Sequence, residues 1–393
     1  MRALAVSLLL LLTSAVPAAG ADWERANAPA VSGRAQVFRA AAAFGEDGVW
    51  AAGYTYGTIG GALEFRTLIQ RWDGNGWSQV PTPDRETFPA RNLLLDVSTN
   101  GPDSAWAVGH SATAPGNGAT RPLVLNWDGA AWSIVDDPPA GLGVGLVSVA
   151  AAPDGTVWIA GDGRNPYSGY AVPLVWLREA GGWQSVPFAT PAGCHTTPDG
   201  LATRAELSDI VSSGRRVTWA AGRCVTPDGN ERGFLVRYNG SRWFTVLSPD
   251  ALARRGEDGA LSGLALSPEG DVWAVGWASG TGTNVGGVPL AFRGRSNKVK
   301  PVPTPLQGTW STLQAVAVGP GGAAVAAGSA GRPYSNAPYP YLLGTSGAEW
   351  LIEPASFDLV GNLYGVALQP SGTAWAVGVS SWDDYGLVLR RRP

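Results

Sequence analysis

Residues 271–277 read DVWAVGW. The first six return along the chain as GVWAAG ending at Gly53, SAWAVG at Gly109, TVWIAG at Gly161, VTWAAG at Gly222, AAVAAG at Gly328 and TAWAVG at Gly378. With the copy ending at Gly276, the segment occurs roughly every 50 to 60 residues, the spacing of a repeat array. An apolar run and a turn precede most copies, as in LSGLALSPEG (261–270). A strand, a tight turn and a last strand follow, as in LIQRWDGNGWSQVPTP (68–83). Apolar residues alternate with small or polar ones, as half-buried strands require.

Seven units of four short strands, A to D in order, predict an all-β, seven-bladed β-propeller. The Trp of strand B should wedge between neighbouring blades. The Ala and Gly after it are expected to be small because blades crowd towards the axis. The seventh unit stops at YGLVLRRRP (385–393) and lacks strand D. Its counterpart lies at the other end, where DWERANAP (22–29) matches GWSQVPTP (76–83). Trp23 then stands where Trp77, Trp132, Trp183, Trp243 and Trp350 stand in other units. The N-terminal strand should therefore complete the last blade, closing the ring and removing open sheet edges.

Residues 1–21 read as a secretory signal peptide: Arg2, the apolar run LAVSLLLLLTSAV and the small-residue site AGA. Residues 22–393 are then one propeller domain, secreted or periplasmic. The apolar run is too short for a membrane anchor and no later run is longer, so no membrane insertion is expected. With 28 basic and 31 acidic residues, the net charge of −3 offers no footprint for nucleic acid. No metal, haem or phosphate-loop spacing occurs, so neither metal nor cofactor is expected, and the protein is read as a monomer. In an oxidising compartment the two cysteines, Cys194 and Cys224, would form a disulfide, two buried free thiols being the alternative.

The WAVG…WDG…W..VP.P pattern resembles that of a broad group of bacterial exported propellers and, more distantly, kelch-like propellers. The resemblance covers nearly all of 22–393. The paired glycines usual in kelch repeats are missing, and WDG here makes a turn rather than part of the His–Trp-Asp pattern of WD40 repeats. The resemblance implies the fold and leaves activity open.

A–B and C–D turns are short and stereotyped, whereas B–C and D–A connections are long and varied. These sets lie on opposite faces, and the varied face, called the top, is the one suited to binding. Of the 18 tryptophans, Trp277, Trp310 and Trp382 fall outside the repeat positions and are expected in top-face loops. Tyr54, Tyr56, Tyr167, Tyr170, Tyr334, Tyr339 and Tyr385 are expected with them. Such aromatics suit sugar or peptide recognition, local packing being the alternative.

The residue after each repeated glycine differs: Tyr54, His110, Asp162, Arg223, Trp277, Ser329 and Val379. These are expected around the rim of the central channel. Near the start of strand A stand Arg39, Asp96, Ser148 and Asp209, where later blades have Gly263, Ala315 and Gly365. The charged groups could serve acid–base chemistry or staple the channel as ion pairs.

Three functions follow as expectations. In the first, the top face holds a glycan, peptide or small ligand through Arg39, Tyr54, Arg223, Trp277, Trp310, Trp382 and Tyr385, the two arginines fixing an acidic group. In the second, the protein is a lyase, isomerase or hydrolase using His110, Asp96, Asp162 and Asp209. In the third, it is an extracytoplasmic interaction scaffold bearing a broad apolar patch.

Overall fold

A computed structural model describes residues 23–393 except 87–88, 113–119, 140–142, 165–170, 197–199, 201–203, 253–256, 280–286, 333–336, 347–348, 356–358 and 383–384. Residues 1–21, expected to be a signal peptide, and Asp22, Tyr167, Tyr170 and Tyr334 lie outside the described residues.

Seven four-stranded antiparallel sheets form the blades. Blade 1 comprises Ala35–Phe44, Gly48–Ile59, Ala62–Asp73 and Trp77–Val80. The A strands of blades 2 to 6 are Asn92–Gly101, Gly145–Ala151, Ala205–Gly214, Gly259–Leu266 and Trp310–Val318. Blade 7 is built from Gly361–Leu368, Ala374–Ser380 and Gly386–Arg391, and Trp23–Arg25 supplies its fourth strand. Trp23 pairs with Arg391 and Glu24 with Arg390, so the ring closes as the repeat implied. Glu353 of blade 6 locks this join. Its carboxylate accepts the Trp23 indole N–H at 2.8 Å and the Arg391 guanidinium at 2.5 Å.

Hydrophobic clusters fill the spaces between adjacent blades, each drawing buried residues from two of them. The B-strand Trp packs against the D-strand Trp of the next blade. Trp50 meets Trp132 at 5.3 Å, Trp158 meets Trp243 at 6.4 Å, Trp273 meets Trp350 at 5.3 Å and Trp375 meets Trp77 at 5.2 Å. All four pairs are edge to face, the geometry aromatic quadrupoles favour, worth about 0.5–1.5 kcal/mol beyond burial. Strand C adds an arginine over the B-strand ring in several blades: Arg71 on Trp50, Arg237 on Trp219, Arg293 on Trp273 and Arg390 on Trp375.

The glycine of the repeat has a different cause from the one expected. Every A strand carries a bulge at one repeat position: Arg39, Leu95, Val147, Ser208, Ser262, Gln314 and Tyr364 are skipped in the pairing with strand B. The strand-A carbonyl two residues before each bulge lies against the repeated glycine. A Cβ on Gly276 would lie 2.0 Å from the Ala260 carbonyl oxygen, and one on Gly53 would lie 1.9 Å from that of Val37. All seven repeated glycines show such an approach. Backbone within the blade, rather than crowding between blades, excludes a side chain there.

Candidate functional site

The seven A strands surround an axial cavity of about 690 Å³. The bulges aim successive strand-A residues into it, which gives the channel a lining that differs from blade to blade. The register with strand B corrects the alignment of Arg39. Ala40 is the counterpart of Asp96, Ser148 and Asp209, whereas Arg39 shares the bulge position with Tyr364.

The residues after the repeated glycines do not form one ring. Asp162, Arg223 and Trp277 line the axial cavity. Tyr54 and Val379 line an adjoining cleft of about 530 Å³ at the junction of blades 7 and 1. His110 and Ser329 line neither. These two side chains turn towards the next blade instead. Ser329 Oγ bonds Asn362 Oδ1 of blade 7 at 2.9 Å, and His110 packs over Gly145 of blade 3. Burial lowers the His110 pKa, and its buried Nδ1 has no partner among the described residues.

Blades 2 to 5 are joined along the cavity wall by carboxyl groups. Asp96 accepts the backbone N–H of Val97 and, across the blade boundary, that of Val149, both at 2.8 Å. Asp209 accepts those of Ile210 at 2.7 Å and Leu264 at 2.6 Å. Ser148 Oγ lies 2.7 Å from an oxygen of each aspartate. A hydroxyl has one proton, so both contacts are satisfied as hydrogen bonds when one of these carboxyls is protonated and donates to the serine. Burial raises both pKa values, and that of Asp209 is raised further by the charge of Asp96. Asp162 accepts the Leu207 N–H of blade 4 at 3.2 Å, and burial pushes its pKa up to about 7. These aspartates act first as clamps on inner-edge amides.

The two arginines differ. Arg223 is engaged by Glu206 at 2.7 Å and Glu231 at 3.4 Å. Arg39 meets no carboxylate among the described residues. Its guanidinium lies 4.3 Å over the Tyr364 ring and its buried Nε has no hydrogen-bond partner. Arg39 and Tyr364 line both cavities and so form the wall between them. Tyr54 is close enough to Arg39 for the guanidinium to pull its pKa down, though burial dominates and raises it.

The off-repeat aromatics separate. Trp277 extends strand B into the axial cavity instead of lying in a loop. Trp310 opens strand A of blade 6 and covers Gly331, where its indole nitrogen would be 2.0 Å from an added Cβ; it lines neither cavity. Trp382 is 80% exposed, next to Ser381 of the outer cleft, and Tyr385 is 44% exposed. Tyr364, Glu206, Gln314 and Phe65, which also line these cavities, carry no mark in the repeat pattern. Only the bulge position, had it been recognised, would have marked Tyr364 and Gln314.

Cys194 and Cys224 are joined in a disulfide, which ties the D–A connection before blade 4 to the residue after Arg223. Among the described residues no His, Cys, Asp and Glu group has the arrangement of a metal site, and no helix is long and apolar enough to cross a membrane.

Neither the known protein families nor the curated proteins contain a match to this sequence. Solved structures do match in fold. The polysaccharide lyase Uly1 aligns with a TM-score of 0.54 at 10% identity, covering 93% of this chain and 91% of its own. The Hadza microbial sialidase Hz136 aligns at 0.52 and 9%, covering 94% and 99%. A protein of unknown function from Dyadobacter fermentans aligns at 0.50 and 12%, also covering 94% and 99%. At such identities the likeness establishes the propeller fold.

Proposed function

We propose that this protein is an exported binding propeller, secreted or periplasmic and monomeric, that captures an acidic ligand on its top face without metal or cofactor. One observation carries the reading: Arg39, a guanidinium seated on an aromatic ring between two cavities, has no carboxylate partner among the described residues. Arg71, Arg237 and Arg390 also stack on rings without an ion pair among the described residues, but they lie in blade seams, whereas Arg39 stands on a cavity wall where a ligand can reach it. A ligand carboxylate, sulfate or phosphate would supply an anionic partner, Tyr54 and Tyr364 bordering the same place. Trp277 would give one face of the axial cavity, and Trp382 and Tyr385 an outer approach. Arg223, held by two glutamates, shapes the wall and is not the anion receptor. The test is a thermal-shift and calorimetric screen of acidic and neutral sugars and small molecules. Arg39→Ala should weaken binding of any hit by about tenfold or more, the worth of a charged hydrogen bond, and Arg39→Lys should recover part of it. Binding indifferent to Arg39, or hits confined to neutral compounds, would refute the proposal.

A second reading has its own observation. Asp162 lines the axial cavity with a pKa near 7, suited to general acid–base work at neutral pH. Catalysis would then centre on Asp162 rather than His110, which faces the blade seam. Turnover of an acidic polysaccharide, abolished by Asp162→Asn with binding retained, would support an enzyme. Binding without turnover over pH 5 to 9 would exclude it for those substrates.

A further inference from the structure

We infer that the ligand is an acidic oligosaccharide laid across both cavities, its carboxylate on Arg39 and a neighbouring ring in the cleft between blades 7 and 1. This rests on the binding role proposed for Arg39 and adds the ligand's class and extent.

Extent follows from the cavities. Volumes of about 690 and 530 Å³ each lie within the range that holds a whole small ligand. They share Arg39 and Tyr364 and nothing else. A single sugar on Arg39 would leave one of them unused, whereas a chain crossing the wall would fill both. The two ends also differ in chemistry. The outer cleft is aromatic: Tyr56 stacks on Phe65 with centroids 5.9 Å apart, Tyr54 meets the same ring at 5.9 Å, and Leu63 is 44% exposed beside them. Such a surface suits the C–H face of a pyranose. The axial end offers acceptors and hydroxyls, Asp162, Glu206, Gln314, Ser208 and Ser262, a density of polar groups that matches a polyol.

A peptide fits less well. An extended peptide would add to the free inner edge of a strand A through main-chain bonds. Those amides are taken on blades 2 to 5. Asp96 holds Val97 and Val149, Asp162 holds Leu207, and Asp209 holds Ile210 and Leu264. Carboxyl groups along this edge accept hydrogen bonds, and sugar hydroxyls would donate to them.

The experiment is a calorimetric titration of the full chain with uronic acid monomers and with uronate tri- and hexasaccharides of several linkages. A neutral hexasaccharide and a hexaglutamate peptide serve as comparisons. A uronate oligosaccharide should bind at least tenfold more tightly than its monomer. Phe65→Ala should abolish that gain, and Arg39→Ala should weaken binding of both monomer and oligosaccharide. Leu63→Ala, at an exposed position, gives the same readout should Phe65→Ala fail to fold. Equal affinity for monomer and oligomer, or a chain-length gain indifferent to Phe65 and Leu63, would overturn the two-cavity assignment while Arg39-dependent monomer binding kept the simpler role. Preference for hexaglutamate or the neutral sugar would overturn the ligand class. Loss of Arg39 dependence would remove both proposals together.

Discussion

Asp96 of blade 2 and Asp209 of blade 4 are joined through one hydroxyl. Ser148 Oγ of blade 3 sits 2.7 Å from each, so three blades share a hydrogen-bonded unit that also holds backbone amides of blades 3 and 5. Ser148→Ala would leave two buried carboxyl groups short of a partner. We expect a loss of about 1–3 kcal/mol in urea unfolding. An unchanged midpoint would show that the serine is not a strut.

The same unit predicts a pH dependence. Burial raises the folded-state pKa values of Asp96 and Asp209, as it does that of Asp162. The fold therefore binds protons more tightly than the unfolded chain. Their contribution is complete below the ordinary carboxyl pKa of about 4 and is lost as pH rises towards neutrality. Asp209→Asn imitates the neutral acid. Its melting temperature relative to the parent should climb between pH 4 and pH 7.5, and a difference that is flat or falls with pH would contradict the assignment.

Gly276 faces the Ala260 carbonyl so closely that a methyl group would reach 2.0 Å. Gly276→Ala should cost more than the roughly 3 kcal/mol that bounds most point substitutions. Gly101, where an added Cβ meets nothing within 4 Å, is the control, and Gly101→Ala should alter the unfolding midpoint little.

Trp23 is 1% exposed and carries the closure of the ring. Trp23→Ala should destabilise by about 3–5 kcal/mol, the range for a large buried aromatic. Deleting residues 22–30 should lower the melting temperature further and expose sheet edges that promote association, seen by light scattering. A truncated protein that melts like the parent would mean the ring does not depend on this strand.

The Cys194–Cys224 disulfide closes a sequence separation of 30 residues. On the chain-entropy account, replacing both cysteines by serine should cost roughly 3–4 kcal/mol. Reduction of the parent should lower its melting temperature by the same amount as the double substitution. A smaller effect of reduction would indicate strain in the serine variant.

Blade number, strand order and the place of Trp23 were legible in the sequence because each depends on a pattern repeated seven times. A register read from one blade is corrected by the others. Arg39 needs that correction. It stands 14 residues before its repeated glycine, whereas Asp96, Ser148 and Asp209 stand 13 before theirs, so Ala40 is their counterpart; the bulge, common to all seven blades, gives position 39 its own direction into the cavity. Trp310 failed for another reason: its indole is spent on Gly331, an intrablade contact that looks, in sequence, the same as an exposed aromatic.

What the chain's residues settled alone is the scaffold, because alternation and turn chemistry act between near neighbours and so leave a local record. The distinction between Arg39 and Arg223 belongs to the tertiary structure. Both are arginines beside an axial cavity, but Glu206 and Glu231 neutralise one while Tyr364, more than 300 positions away in the chain, supports the other without neutralising it. Charge balance at a site is a sum over groups brought together from different strands and, for Arg39, different blades, and no single segment contains it.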